Sequence, residues 1–451
     1  MINKLYKNKY FLTTLQFFTL FVFLLLIYGA IGIYTGDKDF AKILRNTNLP
    51  NLIVWSYWWP MIVVTAILFG RFWCSICPME LVTSFFGKIG LKKKPGNILK
   101  SGWITSLFYA AILIIGIHTF TIHRIPQYMA IYMLILFAVA VITGLIWEKR
   151  TFCTYVCPIG HLLGLYSLLS SKELRVADKN VCSSCKTKDC INSSNHYKFT
   201  GRSCTSNLYP AELKDNRNCI LCGQCHKSCI HDNIVIKKRR FAADMFKNIK
   251  LSNAEIAFFL MVSGFVVYEI LSEWKVTKDI LMTIPNSANN FINIPAIAGT
   301  VKAIILFIFI PVAFYFSLAY LKKIFAKETV KQSLTQLVLA ILPITASMHL
   351  VKATLKTTSR IPYWDYVFSD PKGIDTANKI MQNPDYLDKS FLNLINPYLS
   401  FFILLLPIAA YILSLLIIRK QNNKFASKII SVIAVSFYAS IFVITLIAWR
   451  L

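Results

Sequence analysis

Along this chain of 451 residues, long uncharged apolar runs alternate with short polar segments, most of them basic. Apolar runs occupy residues 11–34, 52–70, 101–122 and 125–147. After a polar stretch rich in cysteine, others occupy 256–274, 303–321, 332–351, 391–418 and 429–449. Each is long enough, as a helix rising about 1.5 Å per residue, to cross a hydrocarbon core of about 30 Å. The pattern predicts an α-helical polytopic membrane protein with about nine transmembrane helices. Its weakest member is 256–274, which contains Glu269 and Glu273; without it every later helix reverses direction. The first run carries no charge and no small-residue cleavage pattern follows it, so it reads as a retained span rather than a removed leader.

Charge sets the expected orientation, because inner loops are rich in Lys and Arg. With the N-terminus inside, the inner segments hold Lys4, Lys7 and Lys9; Lys88, Lys92, Lys93, Lys94 and Lys100; Lys322, Lys323, Lys327 and Lys331; and Arg419, Lys420, Lys424 and Lys428. The opposite loops are short or balanced, as at Asp37, Lys38, Asp39 and Lys42. A composition of 56% hydrophobic and 16% charged residues excludes an ordinary soluble protein. The net charge of +28 sits in these topogenic blocks rather than on one amphipathic face, so nucleic acid is not an expected partner and the lipid bilayer is. The reading divides the chain into a membrane domain at 1–175, a cytoplasmic α+β module at 176–240 and a second membrane domain at 241–451.

Eight of the twelve cysteines fall between Cys182 and Cys229, in a segment expected to face the reducing cytoplasm, where thiols serve metals rather than disulfides. The sharpest signal is Cys219-x2-Cys222-x2-Cys225-x3-Cys229. Three thiolates so closely spaced wrap a cubane, and in two-cluster ferredoxins the fourth Cys of such a run serves the other cluster. Upstream lie Cys182-x2-Cys185-x4-Cys190 and, further on, Cys204. By that logic Cys182, Cys185, Cys190 and Cys229 hold one 4Fe-4S cluster, and Cys204, Cys219, Cys222 and Cys225 the other. Ile230 stands where such runs usually carry Pro, and each cluster taking four consecutive cysteines is the other pairing. A transporter whose cytoplasmic domain holds a pair of structural zinc sites is the competing reading, but zinc recruits separated Cys pairs and leaves the third Cys of the run without a role.

Two further pairs end the second and fourth spans, Arg71-Phe-Trp-Cys74-x2-Cys77-Pro78 and Arg150-Thr-Phe-Cys153-x3-Cys157-Pro158, each followed by an apolar segment with small residues. The duplication reads as an internal parallel repeat that brings four thiols to the cytoplasmic membrane edge. They suit a further metal centre or a dithiol/disulfide couple.

At these residues the chain resembles the membrane polyferredoxins typified by NapH and the C-terminal half of NosR, together with the oxidase-assembly protein CcoG. Two Cys-Pro motifs at helix ends followed by a two-cluster ferredoxin segment carry the resemblance, over roughly residues 52–240. Cys153, Cys157 and Pro158 match its Cys-x3-Cys-Pro form, and Cys74, Cys77 and Pro78 are one residue shorter. The resemblance implies a bacterial inner-membrane protein that delivers electrons from quinol towards nitrogen-oxide reduction, or one that assembles a metal centre, such as copper, for a terminal oxidase.

His118, His123 and His349 fall near the outer ends of their spans, and intramembrane ionisable groups are functional candidates. Two of them would suit a quinol headgroup or a b-type haem, while solvated interfacial histidines are the plainer reading. His161, His226 and His231 lie beside the cysteine motifs and read as surface residues. The segment 357–388, with Arg360, Tyr363, Trp364 and Tyr366, suits docking of an extracytoplasmic reductase or metalloenzyme, or an interfacial aromatic belt. No dinucleotide fingerprint or phosphate-binding lysine loop is present, so electrons rather than hydrides are the expected cargo.

Overall fold

The computed structural model describes residues 2–421 and 424–450. Among these residues eight helices are long and apolar enough to cross a membrane, and the run at 101–122 forms a shorter apolar helix, Trp103–Ile117. The doubtful run is helical over Asn253–Leu271. Its start is set by a capping box, in which Ser252 Oγ accepts from the Glu255 N–H and the Glu255 carboxylate accepts from the Ser252 N–H. Glu269 near its end is tolerated because Lys352 Nζ lies 3.3 Å from the carboxylate, so the charge is paired rather than left in an apolar helix. A helix the sequence pattern did not single out, Lys275–Ile292, follows it with Val276, Ile280 and Ile284 exposed along one row, the pattern of an interfacial helix.

The chain divides into two compact units. One comprises the chain up to Tyr28 together with Val64–Phe108 and Ala130–Lys247; the other comprises Gly29–Val63, Tyr109–Met129 and the chain from Asn248 onward.

All twelve cysteines belong to the first unit. Its small sheet pairs β1, Lys172–Val176, antiparallel with β2, Ile234–Lys238, in register from Lys172 opposite Lys238 to Val176 opposite Ile234. Leu174, Val176, Ile234 and Ile236 form a core with Leu12, Leu221, Cys225 and Tyr6, the last contributed by the N-terminal helix Ile2–Lys7. That helix closes the free edge of β2: Asn3 Nδ2 donates to Ile236 O at 3.1 Å, and the Ile236 N–H donates to Asn3 Oδ1 at 2.9 Å. Where helix Pro78–Ile89 ends, the backbone runs beside the end of the fourth span, the Leu91 N–H donating to Leu145 O at 2.7 Å and the Lys93 N–H to Ile146 O at 2.9 Å. A Cβ at Gly90 would collide with the Leu145 backbone. Gly90→Ala is therefore expected to destabilise the unit by about 2 kcal/mol through overpacking and a lost hydrogen bond. Thermal unfolding in detergent checks this, and an unchanged midpoint would mean the two strands simply part.

In the second unit, helix Val330–Thr358 is the hub and is buried along most of its length. Ser390–Lys420 packs on it and leaves Phe401, Leu405, Ile408, Ile412 and Leu416 exposed at helical spacing. A row of large aliphatic and aromatic groups is stable on an outer face when its solvent is lipid. The loops of this unit gather in two sets. In one set Asn51 Nδ2 donates to His123 O, the Leu49 N–H donates to Pro371 O, and the Thr119 and Thr300 hydroxyls bond at 2.6 Å. In the other, Lys322 Nζ donates to Ser431 Oγ at 3.1 Å.

Candidate cysteine sites

The loop 219–225 curls because Leu221 and Gly223 take left-handed backbone angles, φ 50° and 66°. Gly223 then caps helix Gln224–Ser228, and Cys229 ends it in an extended conformation. The cost of a positive φ at Leu221 is met by burial of its side chain in the core. This winding separates Cys229 from the three cysteines before it. The Cys190 thiol is pushed up to about 11 by burial and then by its neighbours Cys229, Cys182 and Cys185. Those four line an open cleft together with Tyr209, Asn233 and Ile234. Asn233 Nδ2 donates to Cys182 Sγ at 3.2 Å. The Cys225 thiol is likewise raised by burial and then by Cys204, Cys222 and Cys219, so a second quartet forms from those residues. Cys190 is its next neighbour, so the two quartets adjoin.

The four membrane-edge thiols also converge. Burial, followed by Cys153, Cys74 and Cys157, raises the Cys77 thiol. The unequal spacing of the two motifs is absorbed by helix type. Cys74 lies in the α-helical turn Phe72–Ile76, whereas Cys153 lies in the π-helical turn Phe152–Val156, closed by the Cys157 N–H donating to Phe152 O at 2.7 Å. A π turn holds one extra residue, which accounts for x3 against x2. Beyond this the copies agree. Cys77 and Cys157 each leave the helix, and their carbonyls accept from the Glu80 and Gly160 N–H groups at 3.1 and 2.9 Å.

A buried charge cluster joins this quartet to Cys222, and neither motif revealed it. Arg150 and Glu80, each 1% exposed, form an ion pair, and Arg202 Nη2 reaches the same carboxylate oxygen at 3.1 Å. Gln16 also donates to Glu80, and Ser84 Oγ donates to it at 3.0 Å. Burial works to raise the Cys222 thiol, but Arg150, the Gln224 N–H and Arg202 together take it below its ordinary value. Arg150 and Arg71 also pull on Cys153. Arg150 hydrogen-bonds the Cys222 thiol, and Nε of Arg71 and Nε of Arg202 are buried without an acceptor. Such donors fit beside an anionic thiolate-ligated group, which would accept from them. Among the described residues no three His, Cys, Asp or Glu side chains converge closely enough for a single metal ion.

His118, His123 and His349 all lie in the second unit. His118 packs against Phe307 and Tyr268, His349 against Phe265, and His123 edge-on to Trp55. Trp364 is turned inward, its Nε1 donating to Tyr57 Oη at 2.5 Å, so the aromatic segment is partly spent on packing. His231 is exposed as expected, but His226 is not on the surface: it is 3% exposed, its Nε2 3.2 Å from Asn3 O. The N-terminal helix covers it, which local sequence does not reveal.

A family described as a 4Fe-4S binding domain matches the chain twice, at residues 51–96 and 129–176. Each match contains one membrane-edge Cys-Pro motif. Over 174 residues the chain is 25% identical to an uncharacterized protein of Methanocaldococcus jannaschii, covering 37% of this chain. The chain spans 64% of that relative's length. No solved structure matches.

Proposed function

We propose that this protein is a membrane-bound iron–sulfur electron-transfer protein, with its cysteine-rich module on the cytoplasmic side of a bacterial inner membrane. The observation that carries the reading is the gathering of twelve thiols into three neighbouring sets beside the buried guanidinium groups of Arg71, Arg150 and Arg202. Cys182, Cys185, Cys190 and Cys229 would hold one 4Fe-4S cluster, and Cys204, Cys219, Cys222 and Cys225 a second. Cys74, Cys77, Cys153 and Cys157 would hold a further iron–sulfur centre, since the doubly matched 4Fe-4S family covers these residues. When bound, such clusters supply one-electron couples whose potentials follow net charge, hydrogen bonding and exposure. The chain's own contribution is electrostatic. Arg150, Arg202 and Arg71 offset thiolate charge, Glu80 holds two of them in place, and the surrounding core keeps water away.

The electron donor that fits best is the quinol pool, with His118, His123 or His349 as headgroup contacts, and the acceptor a respiratory reductase partner. Iron and acid-labile sulfide in anaerobically purified protein should be found in near-equal amounts, about four of each per quartet. Zinc without sulfide would overturn the reading. In reconstituted membranes quinol should reduce the clusters; failure there, with reduction of Cu(II) by the reduced protein, would assign a metal reductase instead.

A further inference from the structure

The second unit holds a group of cations, Arg45, Arg124 and Lys356, that outnumbers the one carboxylate acting on it, Glu269. Arg45 lies in helix Lys38–Thr47, and Asn51, one short helix later, donates through Nδ2 to both Arg45 O and His123 O, at 3.3 Å each. One turn on from Asn51, Trp55 sits in the π-helical turn Val54–Trp58, its ring 6.4 Å from the His123 ring and beneath Lys356 Nζ, which stands 5.9 Å from the Trp55 centroid. Arg124 Nε donates to His123 Nε2 at 3.2 Å. Arg124 thus touches the imidazole, Lys356 stands over the indole beside it, and Arg45 is near enough to act on it electrostatically.

Like charges do not gather in a partly buried site without a reason. The nearby carboxylates, Glu269 and Glu273, are both engaged by Lys352, at 3.3 and 2.5 Å. None of Arg45, Arg124 and Lys356 forms an ion pair among the described residues. The imidazole does not compensate. Burial, then Lys356, Arg124 and Arg45, holds His123 well below its ordinary value, so it is neutral. Because Nε2 accepts from Arg124, the proton is on Nδ1, and that N–H is buried without an acceptor, as is Arg45 Nε. Two buried donors and two further cations around one place call for an acceptor that carries negative charge.

We infer that Arg45, Arg124, Lys356 and the Nδ1–H of His123 form a binding site for an anionic oxygen ligand of the phosphate or carboxylate class. The site is separate from the cysteine quartets and does not depend on what they hold. Its ligand comes from solution as a free oxyanion or from the bilayer as a lipid headgroup, and the two sources are separable.

The test uses the full chain with its clusters, followed by tryptophan-detected thermal unfolding. One arm titrates inorganic phosphate against chloride at matched ionic strength in detergent. The other compares nanodiscs of phosphatidylglycerol with nanodiscs of phosphatidylcholine. The parent should show a saturable rise in midpoint of about 5 °C at a hundredfold excess over Kd. Arg45→Gln and Lys356→Gln should each weaken the response at least about tenfold, with iron content and the anion-free midpoint retained, whereas Lys356→Arg should keep it. A response to phosphate assigns a soluble ion and one confined to phosphatidylglycerol a lipid headgroup; either supports the site. The inference falls if neither arm stabilises the parent, or if the Gln variants respond as the parent does.

Discussion

The double variant Cys185→Ser/Cys229→Ser should lose about four iron atoms per chain, and Cys222→Ser/Cys229→Ser about eight. The difference follows from the left-handed turn at Leu221 and Gly223, which sends Cys229 away from its sequence neighbours and towards Cys190 and Cys182. Removing two ligands of one cluster costs no more iron than removing one, whereas ligands of different clusters cost independently. Consecutive pairing, with Cys182, Cys185, Cys190 and Cys204 on one cluster, predicts the reverse order. Iron determination with low-temperature electron paramagnetic resonance of the dithionite-reduced proteins reads both. If the two double variants lose equal iron, the crossed pairing is wrong.

Glu80→Ala should lower stability by about 3–5 kcal/mol, because it leaves Arg150 and Arg202 charged, buried and unpaired. For a unit of this size that corresponds to a fall in thermal midpoint of roughly 10 °C. The loss should also release the edge of the module, since Gln16 on the first span and Ser84 on helix Pro78–Ile89 are tied to the same carboxylate. Glu80→Gln keeps the shape and the Gln16 contact but not the charge, and should fall between Ala and the parent. Were Glu80→Ala to melt with the parent, the carboxylate would not be the brace between the Cys222 quartet and the membrane-edge quartet.

Much of this protein could be read from local pattern. Spans depend on the length of uncharged runs, since a hydrocarbon core admits few other sequences, and eight of the nine expected runs form long apolar helices. The ninth, at 101–122, yields the shorter helix Trp103–Ile117, whose last turn, Ile112–Ile117, is π-helical. Cysteine chemistry was also local: thiols two and three residues apart sit on one loop whatever surrounds them. Proximity between distant segments was not local. Glu80, Arg150 and Arg202 each look like an ordinary charge at a helix end or in a loop; only folding buries them on one another. Likewise Arg45, the adjacent pair His123 and Arg124, and Lys356 come from three separate parts of the chain, and no spacing links the three. His226 reads as a surface residue until the N-terminal helix is laid over it. The sequence alone thus determined the solvent each segment prefers and the ligands each loop can offer, because both are set by nearest neighbours. Tertiary structure alone decided which charges meet and which are left without a partner, because that depends on burial between segments far apart along the chain.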